Sequence, residues 1–325
     1  MHGSAPEPHV IRHHKSPAAS AFSEGDGHAM ERIVDGVSQE LACMQSLLGD
    51  HSDARAFLTM EDWAHSTIRR IADLVAEGTI CPRIDARLRL GRRSRSFDRP
   101  FRLGVFPIAG NPLHWLHVFS GLAAMERLQL DKVIYVVAGA DPRKPTLASE
   151  QVRHCMAKKV LGLFSPLLEY SAIARGSATV GEENLFRIVS TANIEALHLF
   201  YIAGSDHYRR VAPSGDDSDT IQKLEKGIRR RTHGFNPRRH QLSAVFLDRG
   251  GYIEHVDTFL DVRWINDLPL HTSSTRIRGA FTGEQELSEL SFLPYSAYGV
   301  ICASGLYGMS LEGQEGNLQE GASVS

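Results

Sequence analysis

His114 and His117 lie three residues apart, just after an apolar stretch at 102–109 (RLGVFPIA) that runs into Gly110, Asn111 and Pro112. Such an order predicts a strand, a glycine turn, an Asn cap and a proline at the first helical position. Residues at i and i+3 share a helix face, so both imidazoles belong to one first turn. Free N–H groups and the positive end of the helix dipole point the same way, which makes an anion site whose two His donors suit a polyphosphate. A second cluster, His271-Thr272-Ser273-Ser274-Thr275-Arg276-Ile277-Arg278, reads as a hydroxyl-rich loop opening a helix with two arginines in its first turns. Serine and threonine caps leave nearby N–H groups for a phosphate, and a guanidinium adds bidentate charge.

Other chemistries lack their signatures. No GxxxxGK(S/T) loop follows any strand and no GxGxxG turn follows the first one, so the cradles of P-loop hydrolysis and of ordinary dehydrogenases are missing. No GxSxG elbow supports an acyl-transfer triad. Cys43, Cys81, Cys155 and Cys302 are far apart and form no CxxC pair, which signals neither zinc nor a disulfide framework.

The elements that must position these clusters begin near Arg102, where short apolar strands alternate with helical segments in the pattern of a parallel α/β sheet. Strands are expected at 102–109, 132–138, 196–203 and 242–248, with helices at 112–129, 149–161 and 183–192. Upstream, Ile33, Val34, Val37, Leu41, Met44 and Leu48, then Trp63, Ile68, Ile71, Leu74 and Val75, recur at helical spacing. Two amphipathic helices ending near Gly49 and Gly78 follow, and their stripes need each other, the next domain or a second subunit as a partner. Residues 1–29 and 309–325 read as disordered tails, 30–81 as a helical extension, 82–100 as an Arg-rich linker or exposed arm, and 101–308 as the α/β domain that carries both clusters. The histidines of the first tail, His9, His13 and His14, read as solvated rather than as metal ligands.

A hydrophobic content of 42% against 23% charged residues gives enough apolar material for a large core. A net charge of -2 gives no global reason to expect nucleic acid or an anionic membrane as partner. The absence of a signal-length apolar segment and the reduced-thiol pattern point to the cytoplasm.

Asn111-Pro112-Leu113-His114-Trp115-Leu116-His117 resembles the (D/N)Px(H/T)xxH element of the HxGH nucleotidyltransferase superfamily, and Ser273-Ser274-Thr275-Arg276-Ile277-Arg278 resembles its SSTxIR element in full. The chain is most similar to the nicotinamide or nicotinate mononucleotide adenylyltransferases of that superfamily, over roughly its last two thirds. Asp141-Pro142-Arg143-Lys144 stands at the place of the family's PPHK-like loop, Arg153 and Met156 at its RxxM spacing, Tyr201 to Asp206 at its strand and GxD turn, and Leu293-Pro294 and Leu306-Tyr307 at its closing helix.

The resemblance implies a Rossmann-like, doubly wound parallel sheet in an α/β domain. It implies that an acceptor mononucleotide's phosphate attacks ATP and pyrophosphate departs. Catalytic roles pass to His114, His117 and Arg278, and ATP binding to Ile108, Ala109, Gly110, Asn111, Gly204, Asp206, Ser273, Ser274, Thr275 and Ile277. Lys144 and Arg153 become phosphate or acceptor contacts. Mg2+ would travel with ATP, with no metal site on the protein. The same fold acting on another phosphate acceptor, or a nucleotide-binding regulatory protein without turnover, are the alternatives.

Overall fold

A computed structural model describes residues 24–82, 98–140, 147–192, 194–207, 220–248 and 258–309. Both terminal tails beyond these bounds, most of the Arg-rich segment and the loop holding Lys144 lie outside the described residues.

Six strands form one parallel sheet: β1 (Phe101–Ile108), β2 (Lys132–Val137), β3 (Leu168–Ser171), β4 (Leu197–Gly204), β5 (Gln241–Leu247) and β6 (Asp261–Ile265). Their order is β3-β2-β1-β4-β5-β6. The chain therefore winds outward from β1 in one direction, returns beside β1 at β4, and winds outward in the other. This is the doubly wound, Rossmann-like α/β arrangement, and the strand order reverses between β1 and β4. The four expected strands are present within a residue or so of the expected bounds.

Strand alternation sends side chains to two cores. Phe106 and Ile108 of β1 join a core with α1 (Glu24–Leu48), α2 (Ala54–Ala76), α3 (Trp115–Arg127), α4 (Glu150–Gly162), α7 (Ser274–Thr282) and α8 (Tyr295–Ala303). Phe101, Leu103 and Val105 join the other core, which includes α5 (Gly181–Thr191) and α6 (Thr220–Arg229).

The two upstream helices stop as expected: α1 at Leu48 before Gly49, α2 at Ala76 before Gly78, and both glycines have positive φ. Helix α1 begins at Glu24, however, inside the segment that composition assigns to a disordered tail. The two helices pack on each other, Ser38 donating to Glu61 at 2.5 Å, and on the sheet domain. Trp63 packs on Phe119 of α3 with ring centroids 4.8 Å apart, Arg70 pairs with Glu126 at 2.7 Å, and Glu40 accepts the Ser296 N–H at the start of α8.

Asp131 gathers the chain on either side of the Arg-rich segment. Its buried carboxylate accepts the N–H groups of Cys81 and Arg102 and two bonds from the Arg99 guanidinium. The described chain on both sides of residues 83–97 is thus tied to one side chain. Among the described residues no helix is long and apolar enough to cross a membrane.

Candidate nucleotide site

In an open parallel sheet, ligands bind outside the carboxyl ends of the strands where strand order reverses. Here that crevice lies past Ile108 of β1 and Gly204 of β4. Beyond Ile108 the chain passes through Ala109 to Gly110, where φ is +63°, a conformation that favours glycine.

The turn after Gly110 is held from several sides. Asn111 is buried; its Oδ1 accepts the Ala148 N–H at 3.2 Å and the Tyr307 hydroxyl at 2.8 Å. Asn111 is therefore not a helix cap, and the helix does not begin at Pro112. His114 occupies the cap position with extended backbone (φ -139°, ψ 170°), and α3 starts at Trp115. The Leu113 N–H donates to the Met156 sulfur at 3.3 Å, which gives the RxxM methionine a structural task.

Both histidines are buried within this first turn, with ring centroids 3.9 Å apart. The His114 N–H donates to His117 Nδ1 at 3.3 Å. A nitrogen that accepts a backbone proton carries none itself, so neutral His117 holds its proton on Nε2. The Tyr135 hydroxyl, from β2, donates to the His117 carbonyl at 2.8 Å. Gly121 makes room for that hydroxyl, since a Cβ there would collide with it.

The second cluster meets the first across the crevice. Ser273 caps α7, its side chain accepting the Arg276 N–H. Ser274 Oγ donates to the Pro112 carbonyl at 3.0 Å, and Arg278 Nη1 donates to the Asn111 carbonyl at 2.6 Å. The other arm of Arg278 reaches Thr275 Oγ1 at 3.2 Å. Thr275 is exposed, and Ile277 is fully buried and anchors α7 in the core. Arg276 pairs instead with Glu289, which also accepts from Thr272.

Arg153 has a different task from the phosphate or acceptor contact expected of it. Its buried guanidinium donates to the carbonyls of Ala148, Ala109, Ala138 and Gly139 at 2.6–2.9 Å. It clamps the ends of β1 and β2 together, with its donors turned to the main chain. Gly204 ends β4 beside β1, and Asp206 follows in a short 3-10 turn. Lys144 lies outside the described residues.

Tyr307 is the site residue whose part sequence reasoning missed. Burial pushes its phenol up to about 12, with the nearby Arg278 and Arg153 opposing the shift, so it stays a neutral donor to Asn111. Among the described residues no group of three or more His, Cys, Asp or Glu side chains is placed to hold a metal ion.

No protein-family model matches the chain. A Clostridium acetobutylicum protein named probable nicotinate-nucleotide adenylyltransferase is 26% identical over 207 residues, 62% of this chain and 97% of that protein. A Thermus thermophilus protein of the same name is 30% identical over 120 residues, 34% of this chain and 59% of its own. Among solved structures, Plasmodium falciparum nicotinic acid mononucleotide adenylyltransferase complexed with NaAD aligns with a TM-score of 0.45 at 13% identity, covering 65% of this chain and 98% of that one. The chain is thus similar, over nearly two thirds of its length, to curated proteins carrying the same family name as the one its two motifs resemble.

Proposed function

We propose that this chain transfers AMP from ATP to nicotinate or nicotinamide mononucleotide, releasing pyrophosphate and forming a dinucleotide. The observation that carries the reading is the meeting of two motifs 162 and 167 residues apart in sequence, through Ser274 on Pro112 and Arg278 on Asn111, at the crevice where strand order reverses.

In this reading the acceptor phosphate attacks the α-phosphorus of ATP, the bond to the bridging oxygen breaks, and pyrophosphate carries away the electron pair. No protein nucleophile is needed, so catalysis rests on alignment and on stabilising charge as it moves toward the leaving group. His117, with its proton on Nε2, donates toward the triphosphate, together with His114 and the N-terminal dipole of α3. Ser274, Thr275 and Arg278 hold the departing phosphates, Arg278 through a planar fork. The main chain at Ile108 to Asn111 and the turn at Gly204 to Asp206 bracket the adenosine. Magnesium would travel with the nucleotide and offset the charge of its phosphates.

The test is pyrophosphate release from ATP and magnesium with nicotinate mononucleotide and nicotinamide mononucleotide supplied separately. The proposal expects turnover with one or both acceptors and a loss of about 100-fold or more in His117→Ala, the scale for removing one transition-state donor. Folded protein that binds ATP and yields no pyrophosphate with either acceptor would overturn it.

A further inference from the structure

Away from the nucleotide crevice, one polar group on the sheet has no part in the proposed reaction. It lies toward the amino ends of four strands, opposite the crevice. Arg102 pairs with His198 across β1 and β4, Phe200 with Ser243 across β4 and β5, and Ser243 with Asp261 across β5 and β6. Paired residues share a face, and alternation along β6 adds Arg263 beside Asp261. All six therefore share the face whose core includes Phe200.

The imidazole of His198 stacks on the Phe200 ring with centroids 4.1 Å apart. The guanidinium carbons of Arg102 and Arg263 stand 5.5 and 5.9 Å from the same ring's centre. Arg263 Nε donates to Asp261 at 2.7 Å, and Ser243 Oγ donates to the same carboxylate oxygen at 3.0 Å. The neighbouring Arg99 is committed to Asp131. Arg102 is different: its Nε is buried and has no hydrogen-bond partner among the described residues. Two guanidiniums against one carboxylate leave a net positive charge, and a buried donor without a partner is costly. Arg102, His198 and Arg263 are each partly exposed, so a solute can reach them.

We propose that this sheet face binds a phosphate dianion, free or carried on a small phosphomonoester, between the Arg102 and Arg263 guanidiniums and beside His198. A dianion with three terminal oxygens can accept from the exposed ends of both guanidiniums, and it offsets their excess positive charge. Binding also brings negative charge to the imidazole, countering the two arginines that, after burial, hold His198 neutral.

The experiment follows the His198 imidazole NMR signals at pH 7.5 in the full-length protein, titrated with sodium phosphate and, separately, with ribose 5-phosphate, at ionic strength held constant with chloride. A saturable movement is expected, weakened about tenfold or more in Arg102→Gln, and retained in Arg278→Ala, which lies in the other site. Saturation by inorganic phosphate alone assigns a free ion, and tighter saturation by the sugar phosphate assigns a carried one. Movement no larger than chloride produces, or movement lost in Arg278→Ala, overturns the proposal. Should Arg102→Gln fail to fold, the wild-type titration and Arg263→Gln, which removes the second fork, decide the same question.

Discussion

The His114 amide donates to His117 Nδ1, and that one hydrogen bond decides where the His117 proton sits. Arg278 is defined as closely, with one arm on the Asn111 carbonyl and the other on Thr275. Lysine keeps the charge and loses the fork. Arg278→Lys is therefore expected to lower kcat/KM for ATP by about 100-fold, measured by steady-state pyrophosphate release; a change under threefold would remove Arg278 from the phosphate-binding role. His198 gives a prediction in pH. Burial first, then Arg102 and Arg263, against the weaker pull of Asp261, lower its pKa from 6.5 to about 4. The folded state thus keeps the imidazole neutral while the unfolded chain protonates it near 6.5, so this contribution to stability is complete above pH 6.5 and is lost as pH falls toward 4. In phosphate-free buffer the denaturant midpoint of the native protein should fall over that window, and the fall should be shallower in His198→Gln. Equal slopes for the two proteins would contradict the assignment.

At the scale of elements, the central strands were legible because both of their faces are buried, which leaves continuous apolar runs such as KVIYVV in β2. The edge strands were not: β3 has four residues with one buried, and β6 (DVRWI) carries charge, as exposed edges do. The first motif placed its helix three residues early, because the Asn-Pro pair that resembles a cap is a turn braced by Ala148 and Tyr307. Such partners lie 37 and 196 residues away in sequence, and no local pattern names them. Arg153 likewise shows a cation in a motif but not the four carbonyls that claim it. The tie between the end of α2 and the start of β1 depends on Asp131, which the sequence did not single out. Asp131→Ala leaves the Cys81 and Arg102 N–H groups and the Arg99 guanidinium without their acceptor, and should cost about 2–4 kcal/mol in chemical denaturation. A loss below about 0.5 kcal/mol would mean that Cys81 and Arg102 are held together by something else.

For the whole molecule, the upstream helices and the sheet domain share one apolar core, from Ile33 and Met44 through Trp115 and Phe119 to Ile277 and Ile301. A shared core predicts shared unfolding. Fluorescence of Trp63, in α2, and of Trp264, in β6, followed in single-tryptophan variants, should report the same denaturant midpoint; an earlier transition at Trp63 would make the two helices a separate unit. ATP labelled at the α-phosphate, incubated with magnesium and nicotinate mononucleotide or nicotinamide mononucleotide, should place its label in a dinucleotide product and none in the pyrophosphate released. Label recovered as AMP or ADP whatever the acceptor, or an α-phosphate that stays in intact ATP with both acceptors, would contradict adenylyl transfer.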